Sequence, residues 1–284
     1  MKTTVKVGNV EVTAIRDKAH SFDRAWHYPA VPEEAWEPYL DLIERDPGNA
    51  MVNFHCFVVR GDGRVVLIDT GWGPELGPPG APESRGALPD RLAELGLQPA
   101  DVDTVAFTHL HADHVGWNLI YDGDVISPRF GNARYLVSKR DWAFFSSRDE
   151  NHPNIARQAL PLERAGLLDT FPDGHQLTRS ITAVATPGHT PGHTSFVIQS
   201  GGERLFVLGD LIHHPVVATE TGWVHRFDAD PDEAVLTRKR QLRGLEAERT
   251  LVAAGHLNHP TFGRFERRDG RRVWQPRASG ETGG

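Results

Sequence analysis

The chain has 284 residues, 39% of them hydrophobic and 24% charged, and its formal net charge is −7. This balance is typical of a globular protein, and the negative charge argues against nucleic acid or an anionic membrane surface as a partner. No apolar stretch is long enough for a signal peptide or a membrane-spanning helix, so we expect a cytoplasmic protein. The single cysteine, Cys56, excludes a disulfide within the chain and lies in an apolar run, which favours a buried thiol over a reactive one.

The first predicted elements form a hairpin, because residues 5–7 and 10–12 alternate around the two-residue turn Gly8-Asn9. Residues 17–50 then lose periodicity, yet 5 of the 20 residues between positions 21 and 40 are aromatic. A loop so rich in aromatic side chains is expected to pack against another surface of the protein or of a partner. We interpret 17–50 as a lid or pocket loop; its aromatic residues could instead belong to the core or to a dimer interface.

Strands and helices alternate along the rest of the chain. Predicted strands cover 54–59, 65–69, 105–107, 134–138, 181–185, 195–198, 205–208 and 250–254, with a terminal hairpin over 262–274. Predicted helices begin at Leu88, run over 139–149, and extend from a capping signal at Asp230 to Glu246. Residues 71–86 are rich in glycine and proline and are predicted to form a loop. The pattern predicts one α/β domain over 1–284, with helices outside stacked sheets and halves at roughly 1–175 and 176–284.

A cluster of metal-ligand residue types directly follows the predicted strand at 105–107. His109, His111, Asp113 and His114 fall within six residues, and an extended backbone points His109 and His111 to the same side. Imidazole nitrogen together with carboxylate oxygen suits zinc and similar divalent ions. The spacing therefore predicts a metal-binding loop that can supply two adjacent ions.

The pattern His109-x-His111-x-Asp113-His114 resembles the signature of the metallo-β-lactamase superfamily, whose fold is a four-layer αβ/βα sandwich. Other segments resemble further motifs of that family in the expected order, namely 67–71, 186–190, 208–210 and 254–256. Residues 208–213 and 254–257 are most similar to the branch that contains lactonases and methyl-parathion-hydrolase-like enzymes.

The resemblance implies a centre of two divalent metal ions, with zinc preferred over iron, manganese or cobalt. Carried over residue by residue, the first metal takes His109, His111 and His189, the second takes Asp113, His114 and His256, and Asp210 bridges them. The family pattern favours His189 over His193, the histidine of a second Gly-His-Thr sequence. His256 is preferred to His259 because it directly follows a predicted strand.

Two further residues are expected to support the ligands. In the family, the position of Asp69 holds the metal loops; an aspartate before Thr-Gly could also simply cap a turn. His193 would hold the loop or another ligand by hydrogen bonds.

Asp113 and His213 are the candidate catalytic residues. His213 stands three residues after Asp210, where related lactonases often have a tyrosine near the substrate, so the sequence departs from the pattern there. We interpret His213 as a proton donor to the leaving group, as a substrate-binding residue, or as a packed or solvated histidine. The aromatic residues predict a hydrophobic pocket, with candidates Trp26, Tyr28, Trp36, Trp72 and Trp117.

These implications define an expected reaction. A hydroxide between two divalent cations is nucleophilic near neutral pH, because metal coordination lowers the pKa of water. We expect a hydrolase that opens a neutral, partly hydrophobic lactone or carboxylic ester, an acyl-homoserine lactone being one candidate. Alternatives are an aryl phosphotriester hydrolase, a mononuclear iron dioxygenase of the same fold acting on persulfides, and a non-enzymatic metal-binding relative. The expected partner is a small molecule, and a homodimer is left open.

Overall fold

The protein is described by a computed structural model over residues 2–45, 51–74, 85–147, 154–258 and 261–277. Within these residues the strands are β1 (Lys2–Val7), β2 (Val10–Ser21), β3 (Met51–Gly61), β4 (Arg64–Ile68), β5 (Thr104–Ala106), β6 (Leu119–Asp122), β7 (Val125–Pro128), β8 (Arg134–Ser138), β9 (Leu168–Phe171), β10 (Ile181–Ala185), β11 (Thr194–Ser200), β12 (Glu203–Val207), β13 (Leu251–Ala253), β14 (Phe262–Arg268) and β15 (Arg271–Pro276). The α-helices are α1 (Arg24–His27), α2 (Leu40–Arg45), α3 (Leu88–Glu94), α4 (Ala112–Val115), α5 (Lys139–Ser146), α6 (Leu160–Arg164) and α7 (Pro231–Ala247). A 3₁₀ segment at Glu33–Tyr39 precedes α2, and a π-helical turn at Ile155–Ala159 precedes α6.

Two sheets organise these elements. The first has seven strands in the order β1-β2-β3-β4-β5-β8-β9, and the second has six in the order β10-β11-β12-β13-β14-β15. The predicted N-terminal hairpin is confirmed, with Val7 paired to Val10 across a turn in which Gly8 has φ 55°. Strands β4, β5, β8 and β9 are parallel neighbours, as are β12 and β13.

The two sheets pack face to face through residues that alternate along their strands. The shared core takes every second residue, as period-two patterning requires: Val10, Val12, Phe57, Val59, Val66 and Ile68 from the first sheet, and Ile181, Ala183, Phe196, Ile198, Leu205 and Val207 from the second. Burial of each large apolar side chain contributes about 1.5–3 kcal/mol.

Helices cover the outer face of each sheet. Leu92 of α3, Phe145 of α5 and Leu162 of α6 pack on the first sheet. Leu242 and Leu245 of α7 pack on the second. The resulting order is helices, sheet, sheet, helices, which confirms the predicted four-layer α/β sandwich.

Residues 17–50 differ from the predicted loop. Strand β2 continues to Ser21, and the following residues form α1, the 3₁₀ segment and α2. The sequence loses its periodic spacing of apolar residues at position 17 because β2 has a bulge between Arg16 and Lys18, which breaks the alternation of side chains. Residues 46–50 lie outside the described part of the chain.

Other segments also depart from the sequence-based expectation. The hairpin of β6 and β7, strand β9 and helix α6 were not predicted. The helix expected over 139–149 ends at Ser146, and of the expected loop 71–86 only residues 71–74, 85 and 86 are described. The predicted cap of α7 is confirmed, since the Asp230 carboxylate accepts from the Glu233 N–H at 3.0 Å. Among the described residues, no helix combines the length and apolar character needed to cross a membrane.

Candidate metal centre

Polar side chains converge where strands of both sheets end. Asp69 follows β4, and His109 lies three residues after the last residue of β5. Asp210 and His256 follow the parallel strands β12 and β13. Because the carboxyl ends of parallel strands meet at one edge of a sheet, the two stacked sheets bring both groups to a common site.

A first cluster combines three histidines with one aspartate, namely His109, His111, His189 and Asp210. Nδ1 of His111 lies 2.9 Å from Nε2 of His109 and 3.0 Å from Nε2 of His189. Oδ2 of Asp210 lies 3.6 Å from Nε2 of His109 and 3.2 Å from Nε2 of His189. Ligands of a tetrahedral zinc ion stand about 3.3 Å apart, since each bond is about 2.0–2.1 Å long. The cluster therefore has the dimensions of a metal site.

A second cluster combines two histidines with two aspartates, namely Asp113, His114, Asp210 and His256. Oδ1 of Asp210 lies 3.3 Å from Nε2 of His114 and 3.0 Å from Nε2 of His256. Oδ2 of Asp113 lies 3.4 Å and 3.6 Å from the same two nitrogens. The two oxygens of Asp210 thus face different clusters.

The atoms of the second cluster converge without satisfying one another. Nε2 of His114, Nε2 of His256 and Oδ1 of Asp210 are buried and have no hydrogen-bond partner among the described residues. A buried polar group left unpaired costs about 1–3 kcal/mol. A cation at their common focus would satisfy all three atoms, so the donor set fits a divalent metal ion.

The charges of the site also fit a cation. Although burial opposes ionisation, the neighbouring imidazoles, His256 foremost, hold the pKa of Asp210 well below its usual range. Burial likewise opposes a charge on His114, yet Asp210 and Asp113 raise its pKa well above the usual value. The buried carboxylates therefore require positive charge beside them. Burial lowers the pKa of His111 to about 3, which keeps its nitrogen lone pair available.

Asp69 belongs to neither cluster but contacts the second. Its carboxylate accepts from the backbone N–H and the hydroxyl of Thr108, each at 2.8 Å, and lies 2.8 Å from Nδ1 of His114. Asp69 is also one of the few non-glycine residues with positive φ, at 59°. It thus combines both interpretations offered by the sequence, because it shapes the turn after β4 and contacts a histidine of the second cluster.

His193 lies outside both clusters. Its Nε2 accepts from the backbone N–H of Asp210 at 2.9 Å, and its Nδ1 lies 2.8 Å from the Thr186 hydroxyl. Of the two Gly-His-Thr histidines, the structure thus brings His189 to the cluster and His193 to the strand end behind it. His259 lies outside the described residues.

Several residues that support the site were missed by the sequence analysis. The Asp228 carboxylate lies 3.0 Å from Nδ1 of His189, and Asp141 accepts from the backbone N–H of Leu110 at 2.9 Å. Asp17, at the bulge of β2, accepts from the backbone N–H of Trp72 at 2.7 Å. Each is far along the chain from the motif it supports, so no local spacing reveals it.

A cavity of about 610 Å³ opens onto these residues. We call six of the buried or partly buried polar residues that line it the floor, namely His111, Asp113, His189, Asp210, His213 and His256. We call the side chains at its mouth the rim; they are Trp26, Trp72, Arg226 and Phe227. Phe54 and Phe144 line the wall between floor and rim. Concave sites of this size with apolar walls and a few polar groups suit small-molecule ligands.

Three of the aromatic residues expected in the pocket do not line it. Tyr28 and Trp36 are buried in the core between α7 and the second sheet. Trp117 is buried on the first sheet, where its indole N–H donates to Asp17 at 2.9 Å. Their apolar area is buried in packing, and the structure does not place these three side chains against the cavity, whereas Trp26 and Trp72 line it.

His213 lies on the floor beside Asp210. Its Nε2 is 3.1 Å from Oδ2 of Asp210, and its Nδ1 is buried with no hydrogen-bond partner among the described residues. Its ring stacks on that of His225, with centroids 3.7 Å apart and planes 6° from parallel. His225 in turn lies 3.0 Å from His27, so a row of histidines borders the site.

Comparison with known proteins agrees with this geometry. Residues 55–256 match the family model described as the metallo-beta-lactamase superfamily. The match spans more than half of the chain and contains both clusters. The chain therefore belongs to the metallo-beta-lactamase superfamily, as its motifs predicted.

Individual relatives point to one branch of the superfamily. The chain is 30% identical over 130 residues to N-acyl homoserine lactonase AttM of Agrobacterium fabrum, a match that covers 42% of this chain and 44% of that protein. The alignment thus spans less than half the length of this curated relative. Among solved structures, hydrolase AbOPH of the beta lactamase superfamily superposes with a TM-score of 0.85 at 26% identity, over 99% of this chain and 98% of that one.

A second structural neighbour shares the fold at lower identity. AidC, described as a dizinc quorum-quenching lactonase, has a TM-score of 0.84 at 22% identity, over 99% of this chain and 98% of that one. The two superpositions extend over nearly the whole length of each chain, so the fold is shared from end to end.

Proposed function

We propose that this protein is a metal-dependent hydrolase acting on ester bonds, with two zinc ions at the centre formed by the two clusters. The observation that carries the proposal is the position of Asp210, whose two oxygens each lie 3.0–3.6 Å from histidine nitrogens of a different cluster. A single ion in the first cluster would leave Oδ1 of Asp210 without a partner, and a single ion in the second would leave the converging donors of the first unused. The arrangement therefore favours two ions over one, and with it the hydrolase over a mononuclear dioxygenase.

When bound, a pair of divalent cations would supply a nucleophilic hydroxide near neutral pH and polarise the substrate carbonyl. The residues of the chain would hold and orient this pair. Asp69 fixes Nδ1 of His114, Asp228 fixes Nδ1 of His189, and the carbonyl of Asn53 fixes Nδ1 of His256 at 2.8 Å. Each of these partners directs the opposite nitrogen of its histidine into the site.

His213 is proposed to act by holding Asp210 rather than by donating a proton. Cations bound beside Asp210 would repel a protonated imidazole, so the ring would stay neutral. A neutral ring that donates from Nε2 to Asp210 leaves Nδ1 as an acceptor. The geometry therefore favours an orienting role for His213.

The proposed substrate class is a neutral, partly hydrophobic lactone. The wall and rim of the cavity present Phe54, Phe144, Trp26, Trp72 and Phe227, which suit an apolar substituent. The names of the relatives support a homoserine lactone with an N-acyl chain. An aryl phosphotriester is the alternative substrate that the same aromatic side chains would accept.

A hydrolysis panel on protein of measured metal content tests these proposals. The panel contains N-acyl homoserine lactones of different chain length, a p-nitrophenyl ester, an aryl phosphotriester and a β-lactam. We expect close to two zinc ions per chain and the highest kcat/KM on a lactone. One iron ion per chain would favour the dioxygenase instead, and the highest kcat/KM on the phosphotriester would replace the proposed substrate class.

A further inference from the structure

Arg238 is a buried cation on α7, with about 1% of its surface exposed. Its Nε donates to the carbonyl of Leu211 at 2.6 Å, and one terminal nitrogen donates to the carbonyls of Thr221 and Trp223 at 3.2 and 2.7 Å. The other terminal nitrogen lies 3.3 Å from Oδ2 of Asp228. The guanidinium thus joins α7 to the segment that follows the floor residue Asp210.

Asp228 extends this contact to the first cluster. Its Oδ1 lies 3.0 Å from Nδ1 of His189, and its Oδ2 also accepts from the backbone N–H of His225 at 3.0 Å. A carboxylate on Nδ1 keeps the proton on that nitrogen, so the Nε2 lone pair of His189 points to the centre. The main chain reinforces the contact, because the N–H of Ala229 donates to the carbonyl of His189 at 3.0 Å.

The other end of the guanidinium acts on the neighbour of Asp210. Leu211 directly follows Asp210 in the chain, so a bond to its carbonyl restrains the backbone that carries the bridging carboxylate. Arg238 therefore restrains both partners of one contact, the 3.2 Å approach of His189 Nε2 to Asp210 Oδ2. Its planar fork makes several directed bonds at once, which a lysine ammonium on a flexible stem does not reproduce.

The second cluster is oriented by other groups. His114 contacts Asp69, and His256 contacts the carbonyl of Asn53. Neither partner is among the groups that Arg238 bonds. A change at Arg238 should therefore act on one cluster more than on the other.

We propose that Arg238 is a positioning residue of the metal centre, which fixes His189 relative to Asp210 and so sets the affinity of the first cluster for its ion. This proposal rests on the dinuclear centre of the proposed function. A residue that served folding alone would, when replaced, lower the stability of the whole domain and weaken both ions together. The zinc affinities of the two clusters, compared in the same variant, therefore distinguish a positioning role of Arg238 from a role in folding alone.

The test measures zinc binding rather than turnover. Wild type, Arg238→Met, Arg238→Lys and Asp228→Asn are each titrated with zinc in competition with a chromophoric chelator, and their thermal unfolding is recorded. We expect Asp228→Asn and Arg238→Met to weaken one of the two zinc ions about 10–100-fold, the usual effect of losing such an outer partner, while the other stays within about twofold. Arg238→Lys should fall between wild type and Arg238→Met. Arg243→Met, an exposed arginine on the same helix, is the matched control and should bind both ions as wild type does.

Two results would overturn the proposal. Equal weakening of both ions in Asp228→Asn would assign Arg238 to folding alone, and so would zinc binding by that variant like that of wild type. If Arg238→Met does not fold, Asp228→Asn still decides, because it is nearly isosteric and lies between Arg238 and His189. A wild-type protein that binds no zinc would instead overturn the metal centre and this proposal with it.

Discussion

The floor and the rim of the cavity differ in how their side chains are held. Floor residues such as His189 and Asp210 are buried and each contacts several fixed partners. At the rim, Trp26 and Phe227 are 44% and 48% exposed, and Arg226 stacks on Trp26 with its guanidinium carbon 4.2 Å from the ring centroid. The floor follows strand ends, whereas Trp26 sits on the four-residue helix α1. We therefore expect the reaction to depend on the floor and substrate preference to depend on the rim.

The largest effect is expected from Asp210→Asn on the floor. A neutral amide cannot give an anionic oxygen to each cluster, so both metal ions should bind more than about 100-fold more weakly, beyond the range for outer partners. The kcat should fall with metal content, as measured by metal analysis and steady-state kinetics. Glu246→Gln is the control, since Glu246 pairs with Arg267 and Arg272 away from the cavity. Two retained ions with near-normal turnover would show that Asp210 does not bridge.

A substitution at Trp36 tests whether this residue stabilises the core or lines the cavity. It is about 1% exposed and packs on Trp223, with ring centroids 4.5 Å apart. Trp36→Ala should lower the free energy of unfolding by about 3–5 kcal/mol, as large-to-small changes in a core do. Chemical denaturation measures this loss. A variant of unchanged stability with altered substrate preference would show that Trp36 contributes to the pocket and not to the core.

His213 tests how the floor works. If it orients Asp210, His213→Ala should reduce kcat by about 10–100-fold, and equally for alkyl lactones and p-nitrophenyl esters. If it donates a proton, the loss should reach about 10²–10⁴-fold for the alkyl lactone, whose leaving group is basic, and be small for the p-nitrophenyl ester. The ratio of the two losses, at verified metal content, decides between the roles.

The smallest effect is expected at the rim. Trp26→Ala removes a half-exposed aromatic surface, worth about 1 kcal/mol against an apolar chain, so KM should rise about fivefold for long-acyl lactones and little for short ones. Leu236→Ala is the matched control, because Leu236 is 68% exposed on α7 and does not line the cavity. Equal changes for all chain lengths would mean that the rim does not select substrate.

Local patterns in the sequence predicted most of the strands and helices and the candidate metal ligands that follow β5. Alternation predicted β8 and β10 with their observed bounds, and a capping signal predicted the start of α7. The spacing of His109, His111 and Asp113 was informative because all three follow one strand, where chain geometry alone directs the side chains. The candidate ligands that follow strands of the second sheet, namely His189, Asp210 and His256, were predicted only through resemblance to a family.

Only the tertiary structure decided which side chains face the cavity and which support it. Composition showed that the aromatic residues between Phe22 and Tyr39 had apolar surface to bury, but not the direction of burial. Trp36 packs towards α7 while Trp26 turns to the rim, because the bulge in β2 and the short helices after it set their directions. Asp228 and Arg238 could not be inferred either. Their partners lie on other loops, and a buried carboxylate or guanidinium leaves no periodic signal in the sequence around it.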